Sequence, residues 1–323
     1  MKIKLVILLT IITSSTFACD ICGCFMGITP YDNQSNFGVY YRYRSYNGYT
    51  GQKQQFFPSN SSFLPTKNQT TFSQGQHNGL NSDYEIYRTT EARGKYFIQK
   101  RWEINAIIPY LNNSERYNNQ TSTISGLGDI NVYSGYHLIR KLDRKINQRL
   151  ITGLGIKMPT ANHTIKSDAG ITYSTPFQPG TGSTDAFIYA NYILGYKTWG
   201  FSINSSYKIN GENKEQESIA NSTTNFLSVF KKIEINKNVK IIPSLQAAYE
   251  YSKGEMYKGN LTGEHETNNL LTGVGLDIFV KNIAFNTSLQ TNTWSAVTDH
   301  PRSSGRLVLG ITYNINQLYY AIK

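Results

Sequence analysis

Cys19, Cys22 and Cys24 fall within the short stretch "ACDICGCFMG", and the rest of the sequence holds no other cysteine. The spacing C-x-x-C-x-C brings three thiolates close together. Such a set suits a soft ion such as Cu(I), or zinc with a fourth ligand. The amino group of Cys19 at a new N-terminus, or the Asp20 carboxylate, can supply that ligand. Two other chemistries compete for the same sulfurs. An oxidising compartment favours a Cys19–Cys22 disulfide, the alternative C-x-C bridge being strained. A lipoprotein-type cut would instead acylate Cys19. The histidines His77, His137, His163, His265 and His300 share no ligand spacing and read as loop or lumen side chains.

Which chemistry applies depends on what positions the thiols. Residues 1–18, "MKIKLVILLTIITSSTFA", have a secretory layout: Lys2 and Lys4, then an apolar run, then small residues at Thr16 and Ala18. The run is too short to span a bilayer as a helix. The sequence therefore divides into a signal peptide at 1–18, a Cys-containing periplasmic or plug segment at 19–35, and a third part at 36–323. No second long apolar run follows, and mean hydropathy is −0.41. The third part is rich in Tyr, Phe, Asn, Thr and Gly, with 24 Tyr and 15 Phe. Aromatic and β-branched residues favour strands, and Asn and Gly mark turns. The formal charge is +11, of which Lys2 and Lys4 belong to the leader. Without a dense basic stripe, that excess points to anionic lipid or an anion-favouring pore rather than nucleic acid. No phosphate loop, nucleotide fingerprint or nucleic-acid module appears.

Period-two alternation then repeats along the chain. In "RLVLGITYNI", Leu307, Leu309, Ile311, Tyr313 and Ile315 share a face, opposite Gly310, Thr312 and Asn314. About twelve such strands are predicted, near 36–46, 83–98, 102–112, 126–139, 149–160, 184–196, 199–210, 222–234, 238–253, 267–281, 283–295 and 306–318. Short connections alternate with long polar loops at 47–82, 113–125, 161–183, 211–221, 254–266 and 296–305. That rhythm predicts an all-β fold, an up-and-down antiparallel transmembrane barrel in the bacterial outer membrane. Trp102 and Trp199 beside short turns, and Trp294 beside a long loop, fit interfacial girdles. Pro109 and Pro243 remove ladder hydrogen bonds and are placed near strand ends. A soluble secreted β-sandwich is the rival fold.

Two stretches carry a resemblance. "ISGLGDINVYSGYHLI" and "LITGLGIKMPTANHT", the latter followed by "PFQPGTGSTDAF" and a hairpin with Trp199 at its turn, are similar to a family of proteobacterial outer-membrane barrels. That family is named for the meta pathway of phenol degradation, and this chain looks like a Bacteroidetes version. The matching residues are Gly126, Gly128, Asp129, Gly153, Gly155, Lys157, Pro159, Thr160, Gly180, Gly182, Asp185 and Trp199. The resemblance implies an outer-membrane channel or transporter-like barrel, without fixing aromatic substrates. The cysteine cluster is not part of the family pattern.

If the apolar parity faces lipid, the opposite parity lines a lumen. It contains Arg42, Arg44, Glu91, Arg93, Lys95, Glu103, Asn105, Asp129, Asn131, His137, Lys157, Asn204, Lys208, Gln246, Glu250, Asp277, Asn286, Gln290 and Asn314. Mixed charges and amides can hold water and pass small polar solutes, or can zip into a plug. The expected function is a small-solute channel embedded in outer-membrane lipid, without catalysis. One alternative is a metal-handling or assembly partner whose thiol segment docks a periplasmic protein. A lipid-modifying barrel enzyme is another, but no Ser–His spacing singles out a nucleophile. The thiol chemistry is open to direct test. Replacing all three cysteines by Ser is expected to leave the barrel folded and to abolish Cu(I) or zinc uptake by the reduced protein. Equal uptake by both proteins returns the cluster to a disulfide or a lipid anchor.

Overall fold

The computed structural model describes residues 35–49, 84–98, 101–117, 120–142, 146–262, 265–296 and 301–315. The expected leader and the thiol segment with Cys19, Cys22 and Cys24 lie outside these residues. In chain order the strands are β1 (Ser35–Tyr49), β2 (Tyr84–Phe97), β3 (Trp102–Tyr117), β4 (Gln120–Leu127), β5 (Ile130–Leu142) and β6 (Ile146–Met158). They continue as β7 (Asp185–Tyr196), β8 (Trp199–Ile209), β9 (Glu217–Ile219), β10 (Ser222–Lys231), β11 (Ile233–Glu234) and β12 (Val239–Ser252). The last are β13 (Glu255–Tyr257), β14 (Asn260–Leu261), β15 (Thr267–Val280), β16 (Ile283–Ser295) and β17 (Pro301–Ile315).

The long strands pair antiparallel with their neighbours around a ring. β10 pairs with β12 and β1 pairs with β17, so no edge of the ring is left open. β4 and β5 both pair with β3 and form two halves of one crossing. β11 adds a short extension on β12. The result is a closed barrel of twelve antiparallel crossings, as the strand rhythm predicts. Tight turns join β7 to β8 and β15 to β16 at one end, the periplasmic end by the convention of such barrels. The long connections lie at the other end. There β9, β13 and β14 pair into a small separate sheet.

The two faces are sorted as a membrane requires. Leu154, Ile188, Leu245, Val274, Leu289, Leu309 and Ile311 are exposed on the outside, Leu245 with 68% of its surface. Tyr96, Trp102, Tyr196, Trp199 and Tyr313 are exposed near the periplasmic end, and Tyr110 and Trp294 toward the other. Inside, Arg306 and Glu250 keep 1% and 0% of their surfaces exposed. A soluble sandwich buries its apolar face; this chain exposes it and buries charge.

Two expectations about the third and fourth crossings need correction. The predicted loop at 113–125 is instead the β3–β4 hairpin. Its outward face is polar: Arg88 Nη1 donates to Asn112 Oδ1 at 3.2 Å and to Ser114 Oγ at 3.1 Å. This hairpin stands above the apolar belt, where a strand can be polar on both faces and so reads as a loop. The predicted strand at 126–139 is broken at Gly128–Asp129. Leu127 is exposed outward, whereas Asp129 is buried inward, although residues two apart in an unbroken strand share a face. Pro109 lies opposite this break, in mid-strand rather than near an end. Its carbonyl accepts the Gly128 N–H at 2.8 Å. A Cβ on Gly128 would collide with Pro109 and Leu111.

Leu309 sits four residues from the Tyr313 girdle position and is 42% exposed. Placing Leu309 near mid-bilayer predicts that Leu309→Arg destabilises the folded barrel by about 2–4 kcal/mol. Reversible denaturant titration in lipid vesicles measures this; a change near zero would show that the outer face or its depth is misassigned.

Candidate functional site: the barrel lumen

β1 directs Arg42 and Arg44 inward from one face. Arg42 meets Glu91 of β2 at 2.8 Å, and Arg93 pairs with the same carboxylate. Arg44 meets Glu250 of β12 at 2.8 Å, and Arg306 of β17 takes the other carboxylate oxygen at 2.6 Å. Arg306 Nε also donates to Gln290 Oε1 at 3.0 Å. Each buried carboxylate therefore serves two guanidiniums. Sharing of this kind offsets the several kcal/mol that desolvating each ion costs.

A second network joins strand ends and strand starts at the long-loop end. Lys157 Nζ lies 3.1 Å from Asp129 and 2.8 Å from Asp185, and Lys208 Nζ lies 2.7 Å from Asp185. The backbone N–H groups of Ala161 and Thr181 donate to Asp129 at 3.1 and 3.0 Å. Thr160 Oγ1 accepts from the Ile130 N–H at 3.0 Å and donates to the Gly128 carbonyl at 3.3 Å. The Gly-Leu-Gly-Asp, Lys-x-Pro-Thr and Pro-Gly-Thr-Gly segments, dispersed in sequence, thus meet at one corner. Gly182 turns there at φ +71°, where an added Cβ would also meet the His163 ring.

This corner anchors the 159–184 connection, which folds inward over the lumen. Phe177 is buried, and its carbonyl accepts from Asn113 Nδ2 at 2.9 Å. Gln178 braces the fold of the connection: Nε2 donates to the carbonyls of Ile165 and Tyr173 at 2.9 and 3.1 Å, and Oε1 accepts the Ile165 N–H at 3.2 Å.

Other inward groups form separate clusters. Toward the periplasm, His137 Nε2 lies 3.2 Å from Glu103, and the His137 ring centroid lies 5.4 Å from that of Phe97. Lys95 Nζ stands 5.7 Å from the Phe97 ring centroid. Asp277 accepts from Asn286 Nδ2 at 2.7 Å. Beyond the opposite end, His265 Nδ1 lies 2.9 Å from Glu255 and Nε2 lies 3.8 Å from Glu85. Burial there opposes a charged imidazole, but the two carboxylates outweigh it and hold the His265 pKa well above its ordinary value.

The structure places Arg42, Arg44, Glu91, Arg93, Lys95, Asp129, His137, Lys157, Glu250 and Asp277 on the inner face. It joins Arg42, Glu91 and Arg93 in one network, Arg44 and Glu250 in another, and Asp129 and Lys157 in a third. Lys95, His137 and Asp277 stand apart from these. Among the described residues, no group of three or more His, Cys, Asp or Glu side chains is arranged to hold a metal ion.

Neither a family model nor a curated protein matches the sequence. Among solved structures, the COG4313 outer membrane channel from Pseudomonas putida F1 superposes with a TM-score of 0.61 at 12% identity, covering 89% of this chain and 100% of that one. This chain has the fold of an outer-membrane β-barrel. The β domain of the Bordetella autotransporter BrkA aligns at a TM-score of 0.48 and 10% identity, over 88% of this chain and 100% of that one. At such identities the likeness is one of fold.

Sequence reasoning missed Arg306, Glu85 and Glu255 as inward partners, and read His265 as a loop or lumen side chain. Parity alone marks Arg306, because Leu307 beside it was already assigned outward. Parity also marks Glu85, six residues before Glu91 on the same strand, whereas Glu255 and the pairing of His265 depend on how the long connections fold, which alternation does not encode. Asp185, a motif residue and a candidate charge inside or at the mouth of the barrel, is the partner on which both Lys157 and Lys208 depend. Asp185→Ala removes that shared carboxylate and is expected to cost about 3–5 kcal/mol. The double change Asp185→Ala with Lys208→Met should recover part of the loss. Urea midpoints in lipid vesicles check both.

Proposed function

We propose that the chain is an outer-membrane channel for small solutes, a member of the barrel family named for the meta pathway of phenol degradation. The observation that carries this is a lumenal cavity of about 80 Å3, open in part to solvent. Arg42, Arg44, Thr89 and Glu91 line one side of it; Ile107, Pro109 and Leu111 of β3 and Pro176 and Pro179 of the inward-folded connection line another. Ion pairs beside apolar strips suit a small solute in transit. The fold and the motif corner at Asp129, Lys157 and Thr181 support membership of the family.

In this proposal β1, which begins at Ser35, leaves the thiol segment at the periplasmic mouth. Ser35 Oγ accepts the Phe97 N–H at 3.0 Å, which fixes the start of β1 beside the end of β2. There the segment can enter the lumen, carry Cu(I) or zinc on Cys19, Cys22 and Cys24, or meet a periplasmic protein. The test is conductance in planar bilayers of the full chain and of a chain lacking residues 19–34. Discrete openings are expected from both, larger in the truncated protein. Silence from both, with the barrel folded, would overturn the channel proposal; equal openings would remove the segment from the lumen.

A further inference from the structure

The outer mouth of the barrel is bridged. β12 and β3 stand opposite one another on the ring of twelve crossings. The small sheet of β9, β13 and β14 grows from the β8–β10 and β12–β15 connections, yet it is tied to the far wall. Its Glu255 meets His265 Nδ1 at 2.9 Å, and His265 Nε2 lies 3.8 Å from Glu85 of β2. Two hydrogen bonds tie the β9 side to the inward-folded connection. Thr175 Oγ1 donates to Glu217 at 3.0 Å, and Asn213 Nδ2 donates to the Thr181 carbonyl at 3.1 Å.

The anchor on the far wall is two carboxylates rather than one. Register sets Glu85 directly opposite Glu115 of β3, and both are buried. Like charges so placed repel, and a buried pair is held only by a shared proton or a nearby cation. Burial, and then the Glu85 charge, push the Glu115 carboxyl up to about 8, against the pull of His265. The Tyr87 hydroxyl donates to Glu85 at 2.8 Å, with Tyr46 of β1 edge-on to its ring. Glu217 of β9 adds its charge on the Glu255 side. His265 itself turns at φ +55°, a region that a side chain with a Cβ enters at a cost. The two ion pairs hold it there.

We infer that Glu85, Glu115, Glu255 and His265 form a proton-operated latch, which holds the small sheet over the outer mouth at acid and neutral pH and releases it at alkaline pH. The assignment rests on the channel reading above and adds its regulation. Both titrations act with the same sign. The ion pairs of the imidazolium are fully present below its ordinary value of 6.5 and are lost as pH rises through the raised one. The latched state also keeps a proton on Glu115 that a hydrated Glu115 gives up near 4.5. From there to about 8, each pH unit weakens closure by up to about tenfold.

The test follows hydrogen exchange of the 255–261 amides by mass spectrometry, with the full chain in lipid vesicles, from about pH 5 to about pH 9. Each rate is divided by that of the same peptide unfolded at the same pH. Protection is expected to fall at least about tenfold across this range in the sheet and to stay level in β16 of the wall. Glu115→Gln keeps an uncharged group opposite Glu85 and should flatten the fall below about pH 8. His265→Gln should release the sheet already at neutral pH. Heat-modifiable migration on gels confirms that both variants are folded. Level protection in the unaltered chain, an unchanged profile in Glu115→Gln, or full protection in folded His265→Gln would overturn the latch. Conductance of the same proteins separates the two ideas. Openings that ignore pH while protection stays level would leave the channel and remove the latch. Protection lost at high pH without openings would do the reverse.

Discussion

Hydrocarbon offers no partner to a peptide N–H or C=O, and every other feature of this chain follows from that deficit. A sheet meets it only by closing on itself, because an open edge would leave a row of backbone groups unpaired in lipid. Closure forces the side chains into two populations, one facing hydrocarbon and one facing in. The outward set becomes the belt of Leu, Ile and Val. The inward set can then be polar at little cost in the membrane, but it must pay its own desolvation. It does so by sharing: Glu91 between Arg42 and Arg93, Glu250 between Arg44 and Arg306, and Asp185 between Lys157 and Lys208.

The same constraint explains where the wall is irregular. The Gly128–Asp129 break lies at the upper part of the crossing, where β3 and β4 rise into a polar hairpin. There water can satisfy backbone groups, so the ladder can reset its phase and turn Asp129 inward. Asp129 then collects the Ala161 and Thr181 N–H groups and Lys157. Local irregularity, tolerated only outside hydrocarbon, is thus what fastens the inward-folded connection over the cavity.

Most of the barrel was legible because period two is a property of the strand itself. A run such as Leu307 to Ile315 carries its own face assignment wherever it sits. What was illegible depends on the ring. No local pattern tells Arg44 that its carboxylate comes from β12, because that pairing follows from the curvature of the whole sheet. The β3–β4 hairpin was misread for a related reason. Asn112, Ser114 and Arg88 are polar on the outward face, and alternation against hydrocarbon fades once a strand leaves it. The inward fold of the 159–184 connection left only indirect marks, the Gly and Pro residues whose conformations a plain loop would not need. Cys19, Cys22 and Cys24 lie outside the described residues, so their chemistry stands as the sequence left it.

The seam between β1 and β17 has a consequence for how the molecule is made. The Tyr40 hydroxyl and Thr312 Oγ1, 2.7 Å apart, belong to residues 272 positions apart in the chain. The first strand therefore waits for nearly the whole of the sequence before it finds its partner, and contacts so distant form slowly. Until then a nascent chain carries two bare edges and an apolar face, the species most prone to stick to its own kind. Delivery must keep the polypeptide unfolded and apart from its copies, and insertion must complete the circle in one cooperative act. Losing β17 would therefore leave an unclosed ribbon rather than a slightly smaller pore.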